Sequence, residues 1–339
     1  MPFRIRHIVK QLWILLALIM LFDVNHAQAS DAKFSLEKIE SLLWGQGESF
    51  DLGMMKLEID QMVDPTINIE TTRSALDQMV DSLKSMIHPN ATPSEIMSLL
   101  KKFLYEPGPW NQGKIFQYDL SDPIGTRISN KIMGNYLKTR KGNCVSMPIL
   151  VVILAQRLGV DATLAMAPEH ILVKFRHESG DLINMEATNG GHRMRNEWYI
   201  HKMNISDSAV ENGIYLRKLT LRETRGLIAS LLLEQLMQQQ RFEEIIAVAG
   251  VILKAYPSSV QAMLLAGSAY GVLLDREFLQ KYADVKEIPS ELIPRLRRLR
   301  AYNTGFFNKA ESLGWQPSPL GSDEKYLKSM VKLRKGLVK

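Results

Sequence analysis

The sequence predicts an α+β protein, with a central helix packed on an antiparallel sheet and helical regions flanking it on both sides. Three observations carry this. Residues 36–104 repeat apolar residues at helical spacing. Residues 145–160, VSMPILVVILAQRLGV, form one long apolar run, and directly after it the period changes from helical to two. From about 211 the chain returns to helical periodicity. A helix followed by antiparallel strands is the order of an α+β layer. An apolar share of 46 % is enough for a packed core and excludes wholesale disorder.

The chain opens with Arg4, Arg6 and Lys10, then the unbroken apolar run LWILLALIMLF at 12–22, then Ala27-Gln28-Ala29. A positive start, a short apolar core and a small-residue exit are the layout of a secretory signal peptide, with cleavage expected after Ala29. The run is shorter than the ~20 residues of a membrane-spanning helix. The expectation is export to the periplasm with no stable membrane insertion after cleavage; the alternative is an apolar segment retained uncleaved as an anchor.

Helices are expected over 36–43, 52–63 and 69–87. A fourth opens at Thr92-Pro93-Ser94-Glu95, where Thr92 caps, Pro93 takes the first helical position and Glu95 closes a capping box. Residues 106–122 read as a loop, and 123–139 as a helix. The apolar helix after Cys144 must start close to that residue, because Pro148 is tolerated only in the first turn. Gly159 stops it. Strands are expected at 161–167, 170–176 and 181–186, with a turn at 177–180. Ile171, Val173 and Phe175 would face the helix; His170, Leu172 and Lys174 would face the opposite, polar side.

Residues 224–257 read as helix, break at 240–242, helix, then Tyr256-Pro257, the outline of a tetratricopeptide (TPR) repeat. A second pair begins at Ser258 with Ala262, Ala266 and Ala269 at packing positions. So few repeats do not stand alone, so this segment is expected to pack on the preceding region. Arg295, Arg297, Arg298 and Arg300 read as a solvated face. The net charge of +6 is small and partly terminal, so no nucleic-acid partner is expected. The division that follows is 1–29 signal peptide, 30–110 N-terminal helical region, 111–210 core, 211–320 helical-repeat region and 321–339 basic tail.

The chain has a single cysteine, Cys144, so no internal disulfide forms. A thiol at a helix N-terminus lies in a field that favours thiolate. Such a nucleophile needs a nearby imidazole and a third group to orient it. His170 opens a strand, and Glu186 lies on the same face of the next one, directly opposite or one diagonal step away. Asn184 is on that face too and is the alternative orienter. The backbone N–H of Cys144 and the side chains of Asn111, Gln112 and Tyr118 are candidate oxyanion donors. Asn143 reads as the helix cap, and Ser146 and Thr188 as structural. His88, His177, His192 and His201 lack metal-ligand spacing, and no phosphate-cradling motif occurs, so neither metal nor cofactor is expected.

These segments resemble the transglutaminase-like cysteine-enzyme superfamily, most closely its bacterial branch, in which a papain-like core is followed by TPR-like helices. The residues that carry the resemblance are RKGNCVSMPILVVILAQRLGV (140–160), APEHILVKF (167–175) and NMEATNGG (184–191), with DLSDPIGTRISNKIMGNYLKT (119–139) as their leader. The resemblance implies Cys144 as nucleophile, His170 as general base and acid, and Glu186 as the orienter. The family usually has aspartate at that last position, so the longer glutamate is a departure that could shift the imidazole. The implied chemistry is cysteine-dependent acyl transfer, or hydrolysis of a peptide or protein amide. Members of the branch that lack the cysteine define the alternative, a non-catalytic scaffold that binds a peptide or protein through the core and the helical repeat.

Overall fold

The computed structural model describes residues 35–45 and 51–317. The expected signal peptide and basic tail lie outside them. Helices α1 (Leu36–Trp44), α2 (Leu52–Val63), α3 (Ile69–Met86) and α4 (Pro93–Tyr105) come first. The α4 start carries the complete capping box: Thr92 Oγ1 accepts from Glu95 N, and the Glu95 carboxylate accepts from Thr92 N. Two short strands, β1 (Gln117–Tyr118) and β2 (Lys141–Gly142), pair in parallel around α5 (Met133–Thr139).

The helix expected over 123–139 is shorter than the sequence suggests. A 3₁₀ turn occupies Ile128–Lys131, and α5 begins only at Met133. The cause is a side chain that competes with the backbone. Asp122 accepts from Thr126 N, Thr126 Oγ1 and Arg127 N, and Asn130 Nδ2 bridges Asp122 to Asp119, both at 2.9 Å. Gly125, at φ +67°, completes that turn.

The central helix α6 (Ser146–Arg157) is buried along ten successive residues, Ser146 to Ala155. Gly159, at φ +80°, reverses the chain after it. The strands β3 (Ala162–Ala167), β4 (His170–Arg176), β5 (Leu182–Glu186) and β6 (His192–Met194) then form an antiparallel sheet in sequence order. Ile171, Val173, Phe175 and Met185 join the core around α6. The opposite face departs from expectation, because it is not a solvated surface. Ala165, Ala167 and Leu172 pack there with Tyr199, Ile205, Ala209 and Ile214. These come from α7 (Asn196–Met203), α8 (Asp207–Glu211) and the chain beyond. That chain runs along the β3 edge, with Leu216 N and Leu219 N donating to Met166 O and Leu164 O.

Among the described residues, four α-helices follow: α9 (Leu221–Gln238), α10 (Phe242–Ala255), α11 (Val260–Leu274) and α12 (Ile293–Ser312). Ala262, Ala266 and Ala269 are buried, as their packing role requires. The C-terminal helices share one continuous apolar core with α1–α6: Ile39, Leu57, Leu150, Leu232 and Ile252 all belong to it. Among the described residues, no helix is long and apolar enough to cross a membrane.

Candidate active site

Cys144 sits in the turn immediately before α6 and is part-exposed. The turn is held from both sides. Asn143 is fully buried, and its Oδ1 accepts from Val145 N (3.0 Å) and Ser146 N (3.2 Å), while Ser146 Oγ accepts from Asn143 N (3.2 Å). These side chains satisfy N–H groups that a helix start leaves open. Behind the turn, Gly142 O accepts from Asp119 N at 2.8 Å through the β1–β2 pair. A Cβ on Gly142 would lie 2.6 Å from Ser146 Oγ and from the Tyr136 ring, so only glycine fits there. Pro148 falls early in α6, and its missing N–H skips one step of the ladder, between the Met147 N–Asn143 O and Ile149 N–Val145 O bonds. The thiol therefore lies at the positive end of a buried helix.

His170 begins β4 directly after the two-residue turn Pro168-Glu169, in which Glu169 adopts φ +54°. The Glu169 carbonyl lies 3.8 Å from Cys144 Sγ. The imidazole is hydrogen-bonded through Nε2 to Glu186 Oε2 at 2.7 Å, and the Cys144 side chain is close enough to act on its charge. With Nε2 so engaged, Nδ1 is the nitrogen left for the thiol. Burial pulls the imidazole pKa down, but the Cys144 side chain and the Glu186 carboxylate outweigh it and hold His170 at about 10.

Continuing the β4–β5 register one step places Glu186 beside Leu172, one diagonal step from His170. The carboxylate is only 5 % exposed, and four donors surround it. Oε2 accepts from His170 Nε2 and from Tyr199 Oη, each at 2.7 Å; Oε1 accepts from Thr188 N (3.0 Å) and Thr188 Oγ1 (2.6 Å). Burial alone would push this carboxyl up. The charged and hydrogen-bonding partners, His170 first, bring it below its ordinary value.

Of the other residues singled out in the sequence, Asn184 is turned away from His170. Its Nδ2 donates to Met194 O (3.0 Å) and Asn196 Oδ1 (2.8 Å). The Asn111 amide ties the loop after α4, donating to Phe103 O and Glu106 O. Gln112 is exposed at φ +57° on that loop. Tyr118 pairs with Gly142, near the thiol turn, but its hydroxyl donates to Pro123 O at 3.0 Å. Thr188 is structural in a specific sense, because both of its donors grip Glu186.

Tyr199 went unread. Its ring is fully buried and stacks near the His170 imidazole, with centroids 6.3 Å apart at 28°. No local pattern announces it, because α7 was not legible as a separate helix and the contact crosses 29 positions to His170. Among the described residues, no cluster of three or more His, Cys, Asp or Glu could hold a metal ion.

The geometry is thus a part-exposed thiol, an imidazole close to it, and a buried, ionised carboxylate behind the imidazole. Such a set can hold a thiolate, move a proton and keep the imidazole in one orientation.

Residues 70–223 match the family model described as the transglutaminase-like superfamily. A UPF0162 protein of Buchnera aphidicola subsp. Baizongia pistaciae (strain Bp) is 26 % identical over 159 residues, which cover 46 % of this chain and 56 % of that relative. The chain therefore spans little more than half the length of the curated relative it matches. A crystal structure of menin, which reveals that protein's binding site for Mixed Lineage Leukemia (MLL) protein, covers 88 % of each chain at 14 % identity with a TM-score of 0.36. A likeness that loose says nothing about function.

Proposed function

Residues 70–223 form a transglutaminase-like domain, and from this premise we propose that the protein is a cysteine-dependent acyl-transfer enzyme that attacks peptide or protein amides. The observation that carries the reading is the His170 imidazole, bonded through Nε2 to the buried Glu186 carboxylate at 2.7 Å and directly following Glu169, whose carbonyl meets the part-exposed Cys144 thiol. In this reading the Cys144 thiolate adds to the amide carbonyl. The Cys144 backbone N–H, at the start of α6, stabilises the developing oxyanion. His170 gives its proton to the departing amine, leaving a thioester. It then takes a proton from the incoming water or amine, which releases the acid or a new amide. Glu186 fixes the ring and offsets its charge.

The test is the pH dependence of Cys144 alkylation by iodoacetamide in the purified protein, beside His170→Ala. Fast alkylation well below pH 8, lost in the variant, is the expected result and justifies a screen of amide substrates. A thiol that titrates in the ordinary range in both proteins rejects the reading.

Export to the periplasm belongs to the same proposal. It rests on the residue pattern of 1–29 and is checked by the N-terminal sequence of the protein recovered from the producing cell, which should begin at Ser30.

One observation favours a second reading, a peptide-binding scaffold. A groove of about 380 Å³ opens between α10, α11 and α12, lined by Ile246, Tyr270, Leu273, Arg298 and Tyr302 among others. Binding of a partner that persists in Cys144→Ser and is lost in Tyr302→Ala would favour it.

A further inference from the structure

Glu186 reaches the imidazole with one methylene more than an aspartate would, and that extra length must be taken up if its carboxylate is to meet the ring at one place. The structure shows how the extra length is taken up. The side chain folds back on its own backbone, and Oε1 is captured by Thr188 N and Thr188 Oγ1, two residues on. Oε2 is then fixed by two donors from different elements, His170 on β4 and Tyr199 on α7. The Tyr199 ring lies beyond the imidazole, its centroid 6.3 Å away at 28°.

We propose that Tyr199 and Thr188 are positioning residues that adapt this site to glutamate. Together they clamp the Glu186 carboxylate so that only one of its oxygens, at one place, meets His170. The inference rests on the Cys144–His170–Glu186 reading but is tested separately from it. The clamp has a further consequence. Aspartate fails here, because its carboxylate is drawn back by about 1.5 Å. Bound to Thr188 it no longer reaches His170, and the Tyr199 hydroxyl loses its acceptor.

The experiment follows the His170 ring by NMR titration in the purified protein, with His170→Ala identifying its signal, in wild type, Tyr199→Phe, Thr188→Val and Glu186→Asp. Tyr199→Phe keeps the ring and its packing and removes only the hydroxyl, so a purely packing role leaves the midpoint where it was. The expected result is a midpoint lowered by about one pH unit or more in Tyr199→Phe and in Glu186→Asp, and by less in Thr188→Val, whose backbone N–H still holds Oε1. A Tyr199→Phe midpoint that is unchanged or raised overturns the proposal, as does a Glu186→Asp variant that keeps the wild-type midpoint. Thermal unfolding by circular dichroism confirms that each variant is folded at the titration temperature. Iodoacetamide rates on the same samples keep the two proposals apart. An ordinary wild-type thiol removes the acyl-transfer reading, whereas the imidazole midpoints decide the clamp on their own.

Discussion

Two places in this molecule bury a carboxylate against a cation, and they differ in what is left over. On α2, Lys56 and Asp60 are 1 % and 0 % exposed. Lys56 Nζ bonds Asp60 Oδ1 and Lys131 O, and Asp60 Oδ2 accepts from Met133 N at 2.8 Å. Burial lowers the lysine pKa and raises the aspartate pKa, and each partner counters the other's shift. This pair fastens α2 to the segment entering α5, with no group facing solvent. At His170–Glu186 the carboxylate is as fully engaged, but the cation keeps one nitrogen for a part-exposed thiol. Complete satisfaction immobilises a buried ion pair, whereas at His170 one ring nitrogen stays on the side of the thiol. The same principle that orphan buried charges are costly therefore fixes a joint in one place and, in the other, holds an imidazole in one orientation.

The sharpest way to break this comparison is Asp60→Ala. It leaves Lys56 buried without a counter-ion and Met133 N without an acceptor. The unfolding free energy in urea should fall by about 3–5 kcal/mol, while the pH profile of Cys144 alkylation, measured where the variant is folded, stays as in wild type. The double change Lys56→Met/Asp60→Leu should recover only the part due to the unpaired lysine, because Met133 N and Lys131 O both lose their partners. If the single variant costs less than about 1 kcal/mol, the pair is not the joint described.

Glu186→Gln should show the reverse balance. Stability falls by about 1–3 kcal/mol, since a neutral amide still meets some of the four donors. Alkylation near pH 6, however, should slow by about tenfold or more as the imidazolium loses its counter-charge. An unaltered rate would place the carboxylate outside the reactive set.

The pH dependence of stability separates the sites further. His170 is raised from 6.5 to about 10 on folding. The folded state then holds a proton that the unfolded state has released. The stabilisation from His170 is complete below about pH 6.5 and is lost as pH climbs towards 10. The difference in unfolding free energy between wild type and His170→Ala should shrink across that window. A difference that is flat from pH 6 to 10 would contradict the coupling.

The smallest effect is expected at the helix start. Asn143→Ala removes the acceptor for Val145 N and Ser146 N and should cost about 1 kcal/mol, with Asn143→Asp keeping most of it.

Much of the fold was legible because its signals are local. The Thr92 box, the Pro148 constraint, the Gly159 stop and the period-two strands each depend on residues a few positions apart, and each element lies within a residue or two of its expected bounds. The segment 123–139 misled because Asp122 offers the backbone an alternative to helix, a competition that periodicity does not register. In the site, Cys144 and His170 could be singled out from helix-start and strand-start logic. Tyr199 could not, because its relation to Glu186 is made by a separate helix folding over the sheet.

By itself, then, the sequence determined helices α1–α4 and α6, strands β3–β5 and the face on which each of their residues lies, since those follow from periods of 3.6 and two. What only the tertiary structure decided is the environment of each face. The sheet surface bearing His170 and Glu186, with alternate residues of mixed polarity, reads as solvated. The packing of α7, α8 and the 214–219 segment buries it, and that burial brings Tyr199 onto Glu186 and keeps water from the carboxylate. The reason is physical: periodicity records which side chains share a face, but desolvation depends on what packs against that face, which is set by contacts far apart in the chain.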